Sequence, residues 1–199
     1  MSIKVDAWSD FVCPFCLLVA ASLEKLQREY DLAVHWHAFE LRPIGAPPMP
    51  PEYLKRIQAS RPMLERQARE HYGIKINPGP MGINSRPALI GEKYAQAQGL
   101  GNKYHDAIMK AYWQDAQSID DLQLLQEKAV SVGLEGAQFR AALTRPEYNA
   151  AVDADIALAR EYGLDAVPAL IFGGKYLIMG AQPYEVLKRA VEQARKEAA

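Results

Sequence analysis

Apolar positions recur with two different periods along the chain. Ile3 to Trp8 (Ile-Lys-Val-Asp-Ala-Trp) is a short β-branched and aromatic run that predicts a strand. After a brief turn the period lengthens, and from Cys13 to about Tyr30 the residues Leu17, Leu18, Ala21, Leu23, Leu26 and Tyr30 form a stripe at helical spacing. Pro14 suits the first turn of that helix, where its missing N–H would have had no partner. Ala33 to Leu41 alternates again, with Val34, Trp36 and Ala38 on one face and His35, His37 and Phe39 on the other. The N-terminal stretch therefore spells strand, helix, strand, a parallel crossover.

The middle of the chain has only the helical period. Pro43, Pro47, Pro48, Pro50 and Pro51 mark a loop, and helices are predicted near 52–72, 85–98, 102–116, 120–132 and 136–143. Gly73, the Asn77-Pro78-Gly79-Pro80 turn, Gly99, Gly101, Gly133 and Pro146 punctuate them. There is no internal repeat and no low-complexity segment. From Pro146 a helix runs to about Tyr162 and ends at Gly163. Val167 to Phe172 then reads as a buried strand, Gly173-Gly174 as a hairpin turn, and Lys175 to Met179 as the returning strand. A last helix from Tyr184 carries Val186, Leu187, Ala190, Val191 and Ala194 on one face. Pro168 has no N–H for a ladder bond, which places it at the very start of its strand. The architecture is α/β: βαβ, a helical insertion, then αββα. Residues 1–43 and 146–199 make one mixed domain, and 44–145 make an all-helical insertion.

Composition narrows the functions without choosing one. In 199 residues, 49% are hydrophobic and 24% charged, enough for a sizeable core and incompatible with disorder. Lys and Arg number 23 against 24 Asp and Glu. That balance removes the simplest electrostatic case for nucleic acid or an anionic membrane, and neither is expected as a partner. The longest apolar run, Phe11 to Ala21, is too short to span a bilayer and contains Pro14. The first residues hold no basic segment followed by a hydrophobic stretch, so a cytoplasmic protein is expected, provided no leader was removed.

The cysteines say more. There are two, Cys13 and Cys16, with Pro14 and Phe15 between them. A structural disulfide closing so short a loop would stabilise little, and a reducing cytosol would tend to open it. Chemistry explains the pair better than stapling. Cys13 stands where a strand passes into a helix, and the helix N-terminus stabilises a thiolate. Cys16 lies one turn on and on the same face, so the two sulfurs can form a disulfide. The expected roles are an exposed attacking thiol at Cys13 and a buried resolving thiol at Cys16. Pro14 and Phe15 add no charge, so the Cys13 pKa depression should be moderate.

Other readings remain beside this one. Cys13 and Cys16 with His35 and His37 would make a zinc site, but that leaves Pro14 and the strand–helix junction unexplained, and no metal is expected. An inert pair of buried thiols is the other alternative. His71 and His105 fall on polar helical stretches and are expected at the surface. Asn84 and Ser85 are expected to cap the following helix rather than contact a ligand. Tyr94, Tyr104, Met109, Tyr112 and Trp113, at helical spacing, are expected in the core of the insertion rather than lining a peptide groove.

The Cys13-Pro14-Phe15-Cys16 motif after a strand, the helical insertion and Val167-Pro168-Ala169 before a strand resemble the DsbA branch of the thioredoxin superfamily. The similarity extends to its cytoplasmic FrnE-like members, dithiol oxidoreductases or isomerases. It covers essentially the whole chain, including Phe39-Glu40-Leu41-Arg42-Pro43, Asn84-Ser85-Arg86-Pro87-Ala88 and Gly180-Ala181-Gln182-Pro183. It implies a thioredoxin fold interrupted by the insertion, with a cis Pro168 beside the redox pair. Such a proline would open the backbone of Val167 to an extended substrate, making Val167, Pro168 and Phe15 the expected substrate-binding residues.

One position departs from the pattern. Related enzymes often bury a carboxylate six residues before the first cysteine, where this chain has Ala7. Asp6 and Asp10 are near but out of that register. Asp10 is either a proton acceptor for Cys16 through a water or an ordinary loop or cap carboxylate.

The resemblance implies a redox-active Cys13–Cys16 disulfide with no further cofactor, and glutathione as a candidate co-substrate. The implied partners are disulfide-containing proteins or small molecules and a cellular thiol reductant. A reducing cytosol favours the reductase or isomerase direction. The alternative is a glutathione-dependent transferase or isomerase, since kappa-class glutathione transferases and 2-hydroxychromene-2-carboxylate isomerases are also similar. Those usually carry Ser at the position of Cys13 and use bound glutathione's thiolate, which leaves Cys16 without a role. A non-catalytic, chaperone-like or zinc-holding binding module is a third reading.

Overall fold

A computed structural model describes residues 2–198. The elements run β1 (Ile3–Ser9), α1 (Pro14–Glu29), β2 (Leu32–Ala38), α2 (Pro51–Tyr72), α3 (Arg86–Ala97), α4 (Gly101–Trp113), α5 (Leu122–Ser131), α6 (Gly136–Ala142), α7 (Pro146–Glu161), β3 (Ala169–Phe172), β4 (Tyr176–Met179) and α8 (Tyr184–Ala198). The strands form one sheet in the order β2-β1-β3-β4. β1 and β2 are parallel, from Ile3 opposite Leu32 to Ser9 opposite Ala38, as the α1 crossover requires. β3 lies antiparallel to β1, with Trp8 opposite Ala169, and β4 returns antiparallel to β3. Gly173 and Gly174 turn that hairpin with φ of 58° and 70°, which side chains with a Cβ rarely adopt. This is a thioredoxin fold with a helical insertion.

Two large apolar cores result, with smaller clusters around Trp8 and Leu64. Ile3, Val5 and Ala7 of β1 pack with Leu23 and Leu26 of α1, Leu170 and Phe172 of β3, and Leu187 and Val191 of α8. The second core lies within the helices, around Leu89, Tyr94, Tyr104, Ile108 and Phe139, and it also contains Cys13, Cys16 and Leu17. The two cysteines thus sit at the seam where the insertion meets the sheet.

Several boundaries differ from those the sequence predicts. β2 ends at Ala38 instead of Leu41 because its partner ends at Ser9. The Phe39 N–H makes a last bond to the Ser9 carbonyl at 2.9 Å, and the Leu41 N–H turns to the Asp10 carboxylate at 2.8 Å. α4 stops at Trp113 because the preceding loop takes its final carbonyls. Asn77 and Gly79 donate to the carbonyls of Trp113 and Tyr112 at 2.7 and 2.6 Å. α1 is buried on more than one stripe, with Val19, Ala20 and Ser22 enclosed as well.

His105 is not at the surface. It is 1% exposed, stacked on Trp36 at 3.7 Å, with Nδ1 at 2.6 Å from the Glu92 carboxylate. Its neighbours in sequence are polar, but the helix face that carries it is turned into the protein. The expected insertion core is there: Tyr94, Tyr104, Met109, Tyr112 and Trp113 are all buried.

A buried charge cluster ties β1 and β2 to the helices. The His37 ring bridges two carboxylates, with Nδ1 2.8 Å from Asp155 and Nε2 2.9 Å from Asp6. Lys93 pairs with Asp155 and donates to the Trp36 carbonyl at 2.8 Å, while the Ala38 N–H donates to Asp155 at 2.8 Å. Despite their burial, the His37 ring, with Lys4 at Asp6 and Lys93 at Asp155, holds both carboxyls below the usual range.

The close packing of α3 gives a direct test. A Cβ on Gly91 would lie 2.4 Å from the Tyr104 hydroxyl and 2.7 Å from the Phe139 ring. Gly91→Ala is therefore expected to destabilise by about 1–3 kcal/mol despite alanine's better helix propensity, measured as a lowered urea midpoint.

Candidate active site

The turn from β1 to α1 is built to present two sulfurs. Cys13 occupies the N-cap of α1 with φ −92° and ψ 115°, and Pro14 opens the first turn. The Cys13 N–H donates to the Asp10 carbonyl at 3.0 Å, and the Cys13 carbonyl accepts from the Cys16 N–H at 3.1 Å. The indole of Trp113 donates to the Phe11 carbonyl at 2.8 Å, so α4 holds the same loop from behind. Both cysteines are free thiols.

Burial corrects one expectation. Cys13 is only 4% exposed and Cys16 1%, so the thiol expected to be exposed is nearly as enclosed as the one expected to be buried. What covers Cys13 is the segment before β3: its thiol donates to the Val167 carbonyl at 3.6 Å. The Val167–Pro168 bond is cis, and the Pro168 carbonyl accepts from the Gly180 N–H at 2.8 Å. Phe15, inside the motif, is 40% exposed. The fold thus gathers Cys13, Cys16, Phe15, Val167 and Pro168, although Val167 lies 154 positions beyond Cys13.

The two thiols are made unequal. Hydrogen bonds from the Cys16 thiol and from the N–H groups of Cys16 and Phe15 bring the Cys13 pKa down, against burial and the charge of Asp10. Burial pushes Cys16 well above the usual thiol range, and a negative Cys13 adds to the effect. The Ser9 hydroxyl, buried and without another partner, faces the Cys16 sulfur. A nucleophile that ionises easily beside a thiol that keeps its proton can run a two-step exchange.

Asp10 is a buried loop carboxylate. It is 0% exposed, accepts from the N–H groups of Leu41 at 2.8 Å and Val12 at 3.3 Å, and burial raises its pKa to about 6. Asn84 caps the next helix by accepting from the Arg86 N–H at 3.0 Å, but Ser85 makes no cap and turns its hydroxyl to Asp10. Sequence reasoning passed over Glu40, whose side chain reaches this corner and accepts from Arg86 at 2.9 Å. Only a pairing across 46 positions brings Glu40 and Arg86 together, and no local pattern signals it.

The zinc reading loses its histidines. Both ring nitrogens of His37 are engaged by carboxylates, and His35 packs edge-on against that ring at 4.5 Å. Among the described residues no group of three or more His, Cys, Asp and Glu stands in a metal-holding arrangement. No helix among them is long and apolar enough to cross a membrane.

Comparison with known proteins agrees with this geometry. The chain is 30% identical over 204 residues to the uncharacterized protein YwbO of Bacillus subtilis (strain 168), covering 99% of this chain and all of that one. It is 25% identical over 174 residues to a 2-hydroxychromene-2-carboxylate isomerase of Pseudomonas putida, covering 85% of each. The crystal structure of a probable DsbA oxidoreductase from Streptomyces coelicolor superposes with a TM-score of 0.83 at 29% identity, covering 98% of this chain and 91% of that one. A family model for the DSBA-like thioredoxin domain matches residues 4–192, and the chain belongs to that family.

Proposed function

We propose that the protein is a thiol–disulfide oxidoreductase in which Cys13 attacks and Cys16 resolves. The observation that carries this reading is the unequal thiol pair at the start of α1, with Cys13 lowered, Cys16 raised and the Val167 carbonyl 3.6 Å from the nucleophile. The Cys13 thiolate attacks one sulfur of a substrate disulfide and expels the other as a thiolate. Cys16 then gives up its proton and attacks the Cys13 sulfur, so the substrate leaves as a dithiol and the protein holds a Cys13–Cys16 disulfide. Isomerisation follows when the substrate's own thiol resolves the mixed disulfide first. Val167, Pro168 and Phe15 form the substrate edge, with a substrate strand hydrogen-bonded to the Val167 backbone.

The substrates we assign are disulfide-bonded proteins or small molecules, with a thiol such as glutathione regenerating the dithiol in the cytoplasm, where a FrnE-like reductase or isomerase would work. The test is a redox titration in graded glutathione buffers, alkylating free thiols and weighing the oxidised fraction. A single two-electron transition is expected. A midpoint near that of thioredoxin, about −270 mV, marks a reductase, and one near about −120 mV an oxidant. No reversible disulfide at any poise overturns the reading.

The similarity to the Pseudomonas putida isomerase supports a second reading, glutathione-dependent isomerisation. Cys16 has no part in that chemistry. Isomerase activity that persists in Cys16→Ser would favour it.

A further inference from the structure

Helices α1 and α2 start from the same edge of the sheet. β1 and β2 end together at Ser9 and Ala38, one leading to Cys13 and the other, through the proline-rich loop, to Pro51. The two helices then run side by side in the same direction. Leu18 of α1 packs with Leu64 and Ala68 of α2, and one turn further along each helix the Ser22 hydroxyl lies 2.7 Å from the Tyr72 hydroxyl. Four residues back from Leu18 and Leu64 are Pro14, where α1 begins, and Ser60. The stretch Pro51 to Ser60 therefore projects past the start of α1, by about 15 Å at roughly 1.5 Å per residue. Pro62 stands at the divide and has no N–H for the Gln58 carbonyl, so the ladder lacks a bond between the two halves.

The projecting half continues the apolar stripe of the packed half. At roughly 100° per residue, Tyr53, Ile57, Leu64 and Ala68 fall within about 60° of one another. Leu64 and Ala68 are buried, but nothing from Pro51 to Met63 is, and Tyr53 is 47% exposed. The side that meets Leu18 further along thus overhangs the mouth of the redox site, where Phe15 is exposed.

Charge around this stripe is one-sided. Between Arg42 and Lys75, seven Lys and Arg stand against three Glu, in a chain whose totals are 23 and 24. Of the three, Glu52 lies in the first turn, where the helix N-terminus favours an acid. Glu65 takes up Arg61 at 2.7 Å. Lys55 and Arg56 are exposed and have no ion-pair partner among the described residues; the Arg56 guanidinium lies over the Tyr53 ring, 5.8 Å from its centroid.

We propose that the projecting half of α2 docks an acidic stretch of an extended polypeptide, so that the protein prefers disulfides with carboxylates a few residues from the reacting cysteine. The proposal rests on the reading of Cys13 as the attacking thiol and adds a substrate class to it. A chain hydrogen-bonded to the Val167 backbone would leave the site beneath Tyr53 and Ile57, which receive an apolar side chain. Lys55 and Arg56 would meet acids about three to six residues from the cysteine, a reach of about 10–20 Å at roughly 3.3 Å per extended residue. Complementary charge at such a rim selects among partners that the thiol chemistry treats alike.

The test uses two peptides, each with one cysteine joined to 2-mercaptoethanol as a mixed disulfide, with three Glu or three Lys placed three to six residues away. Each is reacted with the reduced full-length protein, and the ratio of the two rates is taken. The Glu peptide should react about three- to twentyfold faster at low salt, and the ratio should shrink towards one in about 0.5 M salt. Lys55→Glu with Arg56→Glu should invert the ratio. Arg66→Glu with Arg69→Glu, about 15 Å further along the same helix, should leave it as it is. The ratio is taken within one preparation, so a loss of folded protein does not alter it. A ratio near one in the native protein, no change in Lys55→Glu with Arg56→Glu, or the same change in both double variants overturns the proposal. So does a dimer in sedimentation that Tyr53→Ala with Ile57→Ala turns into a monomer, since that gives the face to a second copy. The neutral bis(2-hydroxyethyl) disulfide separates the two readings: if the native protein does not react with it, the oxidoreductase reading fails, whereas reaction with it beside a ratio near one defeats the docking proposal alone.

Discussion

Cys13→Ser is expected to lower disulfide exchange by roughly 10^4-fold or more, the order of loss that follows removal of a nucleophile. The hydroxyl would keep the position and the hydrogen bonds from Cys16 and Phe15. It would not ionise at neutral pH, and the reaction needs an anion able to displace a thiolate. Cys16→Ser should behave differently. Its Cys13 remains competent to attack, but the mixed disulfide has no internal thiol to resolve it. Mass spectrometry should then find one substrate adduct on Cys13, absent from the native protein and from Cys13→Ser. An active Cys13→Ser protein, or no adduct in Cys16→Ser, would sink the mechanism.

The second large effect is on stability. Lys93 and Asp155 are both nearly enclosed, with side chains 7% and 12% exposed. Lys93→Met keeps most of the volume but leaves Asp155 facing His37 and the Ala38 N–H without its cation. A loss of about 3–5 kcal/mol is expected, since breaking a buried pair strands the remaining charge. The double substitution Lys93→Met with Asp155→Asn should recover part of it, because no unpaired charge is then buried. Urea unfolding of the three variants measures both effects.

The same measurement against pH separates groups of opposite sign. Asp6 and Asp155 have folded pKa values below those of the unfolded chain, so their contribution is present above the ordinary carboxylate range and is lost as pH falls through the folded values. Asp10 is raised from 3.8 to about 6, so it destabilises the fold as pH rises through that window, by about 3 kcal/mol in all.

Periodicity carried much of the architecture. Two strands around a helix at one end and a Gly-Gly hairpin at the other are local patterns, and they lie where the sequence predicts them. Boundaries slipped where a distant partner ended or interrupted an element. β2 stops with β1, and α4 stops because Asn77 and Gly79 take its carbonyls. The Cys-Pro-Phe-Cys motif was legible as well, since a motif at a strand–helix junction is itself local, whereas the cis form of Pro168 was implied only by the family resemblance. What covers the motif was not legible. The burial of Cys13 depends on Val167, and the seclusion of Asp10 depends on Leu41 and Ser85. His105 shows the same limit, being a polar-looking helix residue whose place is decided by Trp36 and Glu92.

The 154 positions between Cys13 and Val167 also set an order in time. A ribosome adding about 5–20 residues per second releases both cysteines roughly 8–30 s before the carbonyl that receives the Cys13 thiol has been made. Until β3 pairs with β1, the nascent chain carries two adjacent thiols without the segment that covers Cys13 in the finished protein. The covered Cys13 thiol is therefore a property of the completed chain, acquired only when its last quarter folds back onto its first strand.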